Sequence, residues 1–191
     1  MKTCYFTFGR FNPPTIGHEK LLRTVEKEAG SDDYLIYPSQ SLDKKDNPLP
    51  YAYKVEILQK MFPWANIETA ACCNTIMKVA QDMMMKDYSD IVMVVGSDRV
   101  GQFDKLLNKQ NTIDYTFNSI KIVSAGERDP DAEGASGMSA SKMREAAKNQ
   151  KTTEFLQGIP DTLSVKEKLD LMAKVRDCLL YTSDAADDGV G

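Results

Sequence analysis

Short apolar runs bounded by turn residues recur along this chain, and segments of helical periodicity fill the gaps between them. That alternation restricts the fold more than any other feature. Strands joined by helices bury both faces only by forming a parallel sheet with helices packed over it. The apolar runs predict strands at 3–8, 34–37, 66–69, 91–95 and 120–123. Between them, 17–29 carries Leu21, Leu22 and Val25 on one face, and 51–61 carries Val55, Ile57, Leu58 and Met61. Segment 75–86 aligns Ile76, Val79, Ala80 and Met83, so its methionines read as packing. Further helices are expected at 99–107, at 139–147 with Ser139 as N-cap, and at 165–175. The expected fold is α/β, a doubly wound parallel sheet of five strands with helices on both faces.

At 191 residues the chain is long enough for one domain with a real core, and we read 1–176 as that domain. No stretch approaches the roughly 18 apolar residues that a membrane helix needs. The first residues are interrupted by Gly9 and Arg10 too soon for a secretory signal, so no membrane association and a cytoplasmic location are expected. Cys4, Cys72, Cys73 and Cys178 show no CxxC spacing, and the single histidine offers no zinc pattern, so the thiols read as buried and no protein metal site is expected. A formal charge of −4 argues against a protein that grips a nucleic-acid backbone. Residues 177–191 stand apart. From Cys178 they continue no helical pattern, and their first part resembles an in-frame translation of a transposase-type sequencing adapter, the alternative being a disordered tail. Asp184, Asp187 and Asp188 in this stretch supply most of the net charge, which therefore says little about partners.

Two segments carry chemistry. In Phe6-Thr-Phe-Gly-Arg-Phe-Asn-Pro-Pro-Thr-Ile-Gly-His18 an apolar run breaks at Gly9 and a helix begins, a junction that aims backbone N–H groups and the positive end of a helix dipole at an anion. Gly9 lets the backbone approach a phosphate, and Pro13-Pro14 stiffens the entry. Thr15 and His18, three apart, share a helical face and would offer a hydroxyl and an imidazole to one anionic group. A purely structural cap is the alternative for His18. The second segment, Gly137-Met-Ser-Ala-Ser-Lys-Met-Arg144, is a helix start with two hydroxyls and two cations, where Ser139, Ser141, Lys142 and Arg144 would contact phosphate oxygens. A capped surface helix explains it equally well.

Between them, Gly96-Ser-Asp-Arg99 follows the 91–95 run, and Asp98 would accept from a ribose, base or substrate amide unless it is a plain N-cap. Lys44, Lys45 and Lys54, around the irregular stretch 38–50, are candidate substrate ligands or simply solvated lysines. The second irregular stretch, 125–137, is rich in Gly, Asp, Glu and Ala and would fold over a bound substrate, the alternative being a merely mobile loop. The Gly9, 38–50, Gly96 and 125–137 segments all follow strands, which places them on the ligand-binding edge of an open sheet.

In order and spacing, GRFNPPTIGH, GSDR and MSASKMR resemble the nucleotidyltransferases with a HIGH-type motif, the cytidylyltransferase-like superfamily. Its members include nicotinamide-mononucleotide and pantetheine-phosphate adenylyltransferases and glycerol-phosphate cytidylyltransferase. The resemblance covers residues 1 to about 150, and the wording GRFNPPTIGHEKLL with SLDKKDNPLPYAYK is similar to short members in tailed-bacteriophage genomes. It implies a Rossmann-like fold. It also implies that Thr15, His18 and Arg144 are the catalytic positions, with Gly9, Arg10, Phe11, Gly17, Asp98, Ser139, Ser141 and Lys142 binding nucleotide. Thr15 stands where many members have histidine, and Ala140 replaces a serine of the ISSTxxR motif.

The implied chemistry is in-line attack by an acceptor phosphate on the α-phosphorus of a nucleoside triphosphate, with Mg²⁺ accompanying the triphosphate and pyrophosphate leaving. The partners are then a nucleoside triphosphate and a phosphorylated small-molecule acceptor. The GRF wording favours AMP transfer from ATP. CTP-dependent cytidylyl transfer and a non-catalytic nucleotide-binding regulatory domain are the alternatives. A class I aminoacyl-tRNA synthetase core shares a HIGH motif, but the chain is too short to add a tRNA-binding domain and matches KMSKS poorly.

Overall fold

The computed structural model describes residues 1–127 and 138–188. Its sheet has four strands, β1 (Thr3–Gly9), β2 (Asp33–Pro38), β3 (Asp90–Val95) and β4 (Ser119–Ser124), all parallel and in the order β2-β1-β3-β4. Phe6 pairs with Leu35, Cys4 with Ile91, and Ile91 with Ile120. The chain starts at β1, steps out to β2 and returns across β1 to β3, so the winding reverses between β1 and β3. At their carboxyl ends, Gly9 and Val95, this reversal opens the crevice where open parallel sheets take ligands.

The expected fifth strand at 66–69 is corrected to a single bridge, Ile36 to Ile67. The ladder begins, with Ile36 N–H on Asn66 O and Glu68 N–H on Ile36 O, each 2.8 Å. It stops because Glu68 Oε1 then captures the N–H groups of Thr69 and Ala70, both at 3.0 Å. A side-chain acceptor takes the donors that a longer strand would have used.

The chain divides into two compact units. The sheet unit contains Met1–Gly9, Glu19–Ser39 and the described part of Trp64–Asp129. One face of its sheet, including Cys4, Phe6, Tyr37, Ile91 and Met93, is buried together with Val79, Ala80 and Met83 of α3 (Ile76–Met85) and Leu107 of α4 (Val100–Gln110). On the other face Thr7, Ile36, Val92 and Val94 are buried too. Within α1 (Ile16–Ala29) the buried stripe is Leu22, Val25 and Ala29. Burial on both faces is why the strands read as continuous apolar runs.

The second unit contains Arg10–His18, Gln40–Pro63 and the described residues from 138 onward. It holds α2 (Tyr51–Met61), α5 (Ala140–Lys148), α6 (Thr152–Gln157) and α7 (Val165–Asp188). Leu58, Met61, Phe62, Met143, Ala147, Phe155, Leu171 and Val175 are among its buried residues. The sequence reading does not contain α6, whose six residues are too few for a period to show. Lys168 donates to Leu156 O (3.3 Å) near its end and to Asp161 Oδ1 (2.7 Å). The last helix runs on to Asp188, past the expected end at 175. Gly137 and the 128–136 part of the expected substrate loop lie outside the described residues, as do residues 189–191. No helix is long and apolar enough to cross a membrane.

Candidate functional site

The Thr15–His18 segment builds a reciprocal cap. Thr15 is the N-cap of α1, and its Oγ1 accepts from Gly17 N–H at 3.2 Å. Three residues on, His18 Nδ1 accepts from Thr15 N–H at 3.0 Å. This is a capping box with imidazole in the place usually taken by Glu or Gln. Because Nδ1 receives a backbone proton, the proton of the neutral ring sits on Nε2. The structural-cap reading of His18 is the one this geometry bears out, and the same cap fixes its tautomer.

The cap also corrects an expectation. The N–H groups at this helix start do not stand ready for phosphate: Thr15 N–H is spent on His18, Ile16 N–H on Gly158 O (3.0 Å), Gly17 N–H on Thr15 Oγ1 and His18 N–H on Thr15 O (3.1 Å). Thr15 itself is 1% exposed, so its hydroxyl serves the cap and is not offered to a ligand. What α1 contributes is a side chain.

Upstream of the cap, Phe11 is buried with φ of +48°, a left-handed conformation that costs a non-glycine residue about 1–3 kcal/mol. Its ring meets the His18 ring edge to face, with centroids 4.9 Å apart. The peptide between Asn12 and Pro13 is cis. Asn12 is fully buried, and its Oδ1 accepts from Leu49 N–H at 2.9 Å. Lys54 corrects a second expectation. It sits in α2 at 0% exposure, its Nζ donates to Arg10 O at 2.6 Å, and burial lowers its pKa from 10.5 to about 8. A buried ammonium spent on a backbone carbonyl anchors the motif and is not an exposed substrate ligand.

At the second helix start, Ser139 is the N-cap of α5 and its Oγ accepts from Lys142 N–H at 3.2 Å. Among the described residues nothing takes the N–H groups of Ala140 and Ser141, and the Ser141 and Lys142 side chains are exposed. One turn on, the Arg144 side chain is 15% exposed, donating from Nη1 to Asn12 O (2.9 Å) and from Nη2 to Asp46 Oδ1 (3.3 Å). Burial lowers the Arg144 pKa most, Asp46 opposes this, and the neighbouring Arg10 charge lowers it further. Like charges that act on each other are relieved by a bound anion.

Asp46 belongs to a small turn that the sequence reading missed. Asp43 Oδ1 accepts the N–H groups of Lys45 (3.0 Å), Asp46 (2.7 Å) and Asn47 (3.2 Å), and its Oδ2 accepts from Asn47 Nδ2 (2.6 Å). The aspartate opening Asp43-Lys-Lys-Asp-Asn47 is the signal that could have found it, because aspartate initiates such turns. These hydrogen bonds hold the Asp43 carboxyl well below the usual carboxylate range. Lys44 and Lys45 extend from this turn and are exposed. In the same unit Asn12 Nδ2 and Asn47 Oδ1 are buried without a partner among the described residues, a donor and an acceptor of the kind that water or a ligand completes.

Gly9 and Asp98 are described with the sheet unit. Gly9 ends β1, and its carbonyl accepts from Ser39 N–H at 2.7 Å. Asp98 is exposed in the short 3₁₀ turn Ser97–Arg99 that follows β3. It is not the cap of α4, which takes Arg99 as its N-cap without a side-chain bond.

A family model described as cytidylyltransferase-like matches residues 6–146. No curated protein matches the chain in sequence. Among solved structures, Plasmodium falciparum nicotinic acid mononucleotide adenylyltransferase complexed with NaAD superposes with a TM-score of 0.56 at 13% identity, over 90% of this chain and 98% of that one. The same enzyme complexed with APC gives 0.57 at 13% identity over the same shares. A Vibrio parahaemolyticus protein provisionally named a nicotinate-nucleotide adenylyltransferase gives 0.50 at 18% identity, over 78% and 89%. At these identities the likeness is one of fold.

Proposed function

The chain belongs to the cytidylyltransferase-like family of nucleotidyltransferases, and from that premise we propose that it moves AMP from ATP to a phosphorylated small-molecule acceptor, releasing pyrophosphate. The observation that carries the reading is the His18 cap, which presets a neutral imidazole with its proton on Nε2 in the unit that also holds Arg144. An acceptor phosphate oxygen attacks the α-phosphorus in line, and the bond to the β-phosphate oxygen breaks. No protein nucleophile is required, so rate comes from positioning and from donors aimed at the spreading negative charge.

In this reading His18 donates from Nε2 toward the α-phosphate region. Ser139, Ser141, Lys142 and the open N–H groups of α5 hold the triphosphate, while Arg144 and Arg10 supply positive charge. Thr15 and Lys54 are positioning residues, the first orienting His18 and the second anchoring Arg10. Asp46 occupies one edge of the Arg144 guanidinium and must yield when phosphate arrives. The donor set of hydroxyls, guanidinium groups and N–H groups fits a polyanion. Mg²⁺ would come with the triphosphate and supply neutralising charge to its oxygens, since hard cations of this kind bind chiefly through phosphates and water.

Support for ATP over CTP comes from the GRF wording of the first motif and from fold relatives that are adenylyltransferases, one of them complexed with NaAD. The test is to incubate the protein with each nucleoside triphosphate, Mg²⁺ and a panel of phosphorylated acceptors, and to follow pyrophosphate. Release with ATP and one acceptor is the expected result. Release only with CTP would replace adenylyl by cytidylyl transfer, and binding without release under every pairing would make the chain a regulatory nucleotide-binding domain.

A further inference from the structure

We propose that Cys72, Cys73 and Asp82 form a binding site for one zinc-class divalent cation in the sheet unit. The two cysteines sit in the turn after the Ile67 bridge, where Cys73 N–H donates to Ala70 O at 3.3 Å and the two Sγ atoms lie 3.3 Å apart. Asp82, on α3, places Oδ1 4.0 Å from Cys72 Sγ. One ligand atom from each of the three lies within 4.8 Å of the others. Around a tetrahedral cation with sulfur at ~2.3 Å and oxygen at ~2.0–2.2 Å, ligand atoms stand about 3.5–3.8 Å apart. Side-chain shifts of about 1 Å or less close the triad on a metal.

The surroundings are those of a ligand shell. Asp82 turns its other oxygen, Oδ2, to Tyr37 O–H (2.8 Å) and Lys86 Nζ (2.6 Å), and Lys86 also reaches Glu68 (3.4 Å). These bonds fix the carboxylate with Oδ1 on the sulfur side, the way outer partners orient metal-binding carboxylates. Two thiolates and Asp82 give three negative charges for a dication, and Lys86 offsets the surplus. Cys73 is buried while Cys72 is exposed, which leaves a path from solvent and a fourth position for water. The thiol protons leave to solvent as the sulfurs bind.

A disulfide between the two is disfavoured on geometry. Neighbouring Cα atoms are ~3.8 Å apart across a trans peptide, shorter than the ~4.4–6.8 Å that disulfides span. A cation bridges the same sulfurs without that demand, and it would tie the 70–73 turn to α3. The site is independent of the transferase reading.

The test uses the full chain stripped of metal, with Co²⁺ and then Zn²⁺ as probes. Co²⁺ should produce a thiolate-to-metal charge-transfer absorption that saturates at one equivalent and is abolished by Zn²⁺. Cys72→Ser, an exposed position, should weaken Co²⁺ binding at least tenfold, Asp82→Asn should weaken it while keeping the absorption, and Cys178→Ser should change nothing. Zn²⁺ should raise the melting temperature of the wild type and not that of a folded Cys72→Ser variant. Absence of the absorption at one equivalent, or its persistence unchanged in Cys72→Ser, would overturn the site.

Discussion

The starts of α1 and α5 read alike in sequence, each with hydroxyl residues ahead of a basic or titratable side chain, but they are built in opposite ways. At α1 the backbone N–H groups of residues 15–18 are all taken, and what is presented is the His18 ring. At α5, among the described residues, the Lys142 N–H alone is taken by a side chain, and Ser141 and Lys142 are exposed. His18 is held by a residue three positions away. Arg144 is held by Asn12 and Asp46, 132 and 98 positions away. In the proposed function the short-range cap gives a fixed donor for a transition state, and the long-range ion pair a charge that a ligand can recruit.

The comparison breaks first at His18. His18→Ala should lower turnover by about 100-fold or more, in line with the ~2.7–4 kcal/mol lost when one preorganised donor is removed. A loss below tenfold in steady-state pyrophosphate release would reduce α1 to a structural cap.

Lys54 sharpens the comparison, because it is the long-range support under the first motif. Its folded pKa of about 8 lies below the ordinary 10.5, so between those values the unfolded chain binds the extra proton and stability rises with pH. Below about pH 8 both states carry the proton and the burial penalty is full. Denaturant melts should therefore show the wild type gaining on Lys54→Met by on the order of 3 kcal/mol across that window. A pH-independent difference would mean that the ammonium is not buried.

Arg144→Lys should raise the nucleotide dissociation constant about tenfold and affect turnover less, because a lysine keeps charge but loses the planar fork. An equal fall in turnover would assign Arg144 the fixed role given to His18. The smallest effect belongs to Thr15→Ala, which removes the cap hydroxyl and leaves the backbone N–H that holds His18. It should cost about 1 kcal/mol, seen as a drop of ~2–4 °C in melting temperature. A large loss of activity at unchanged stability would return the Thr15 hydroxyl to the ligand.

What was legible in the sequence follows the same division. The four strands and most helices show because burial on one or two faces leaves a period, and α2 matches at 51–61 residue for residue. The segment 66–69 reads as a strand because its apolar pattern cannot reveal that Glu68 will take the next two N–H groups. The helix starts after Thr15 and Ser139 are legible because such starts have a local signature. Asn12, Asp43 and Asp46 were missed, and Lys54 misassigned, because their partners are set by how the 40–50 stretch folds back within its unit. Cys72 and Cys73 lack a spacing motif because their third partner comes from the next helix.

The central claim is that the cap sets the chemistry of His18, and the chain has a single histidine, so its ring signals stand alone. A long-range proton–nitrogen NMR correlation on uniformly labelled protein reads the tautomer directly. The account predicts a neutral ring protonated at Nε2, with Nδ1 bare and its shift altered in no tautomeric sense when nucleotide is added. A ring protonated at Nδ1, or an even mixture of tautomers, would contradict it.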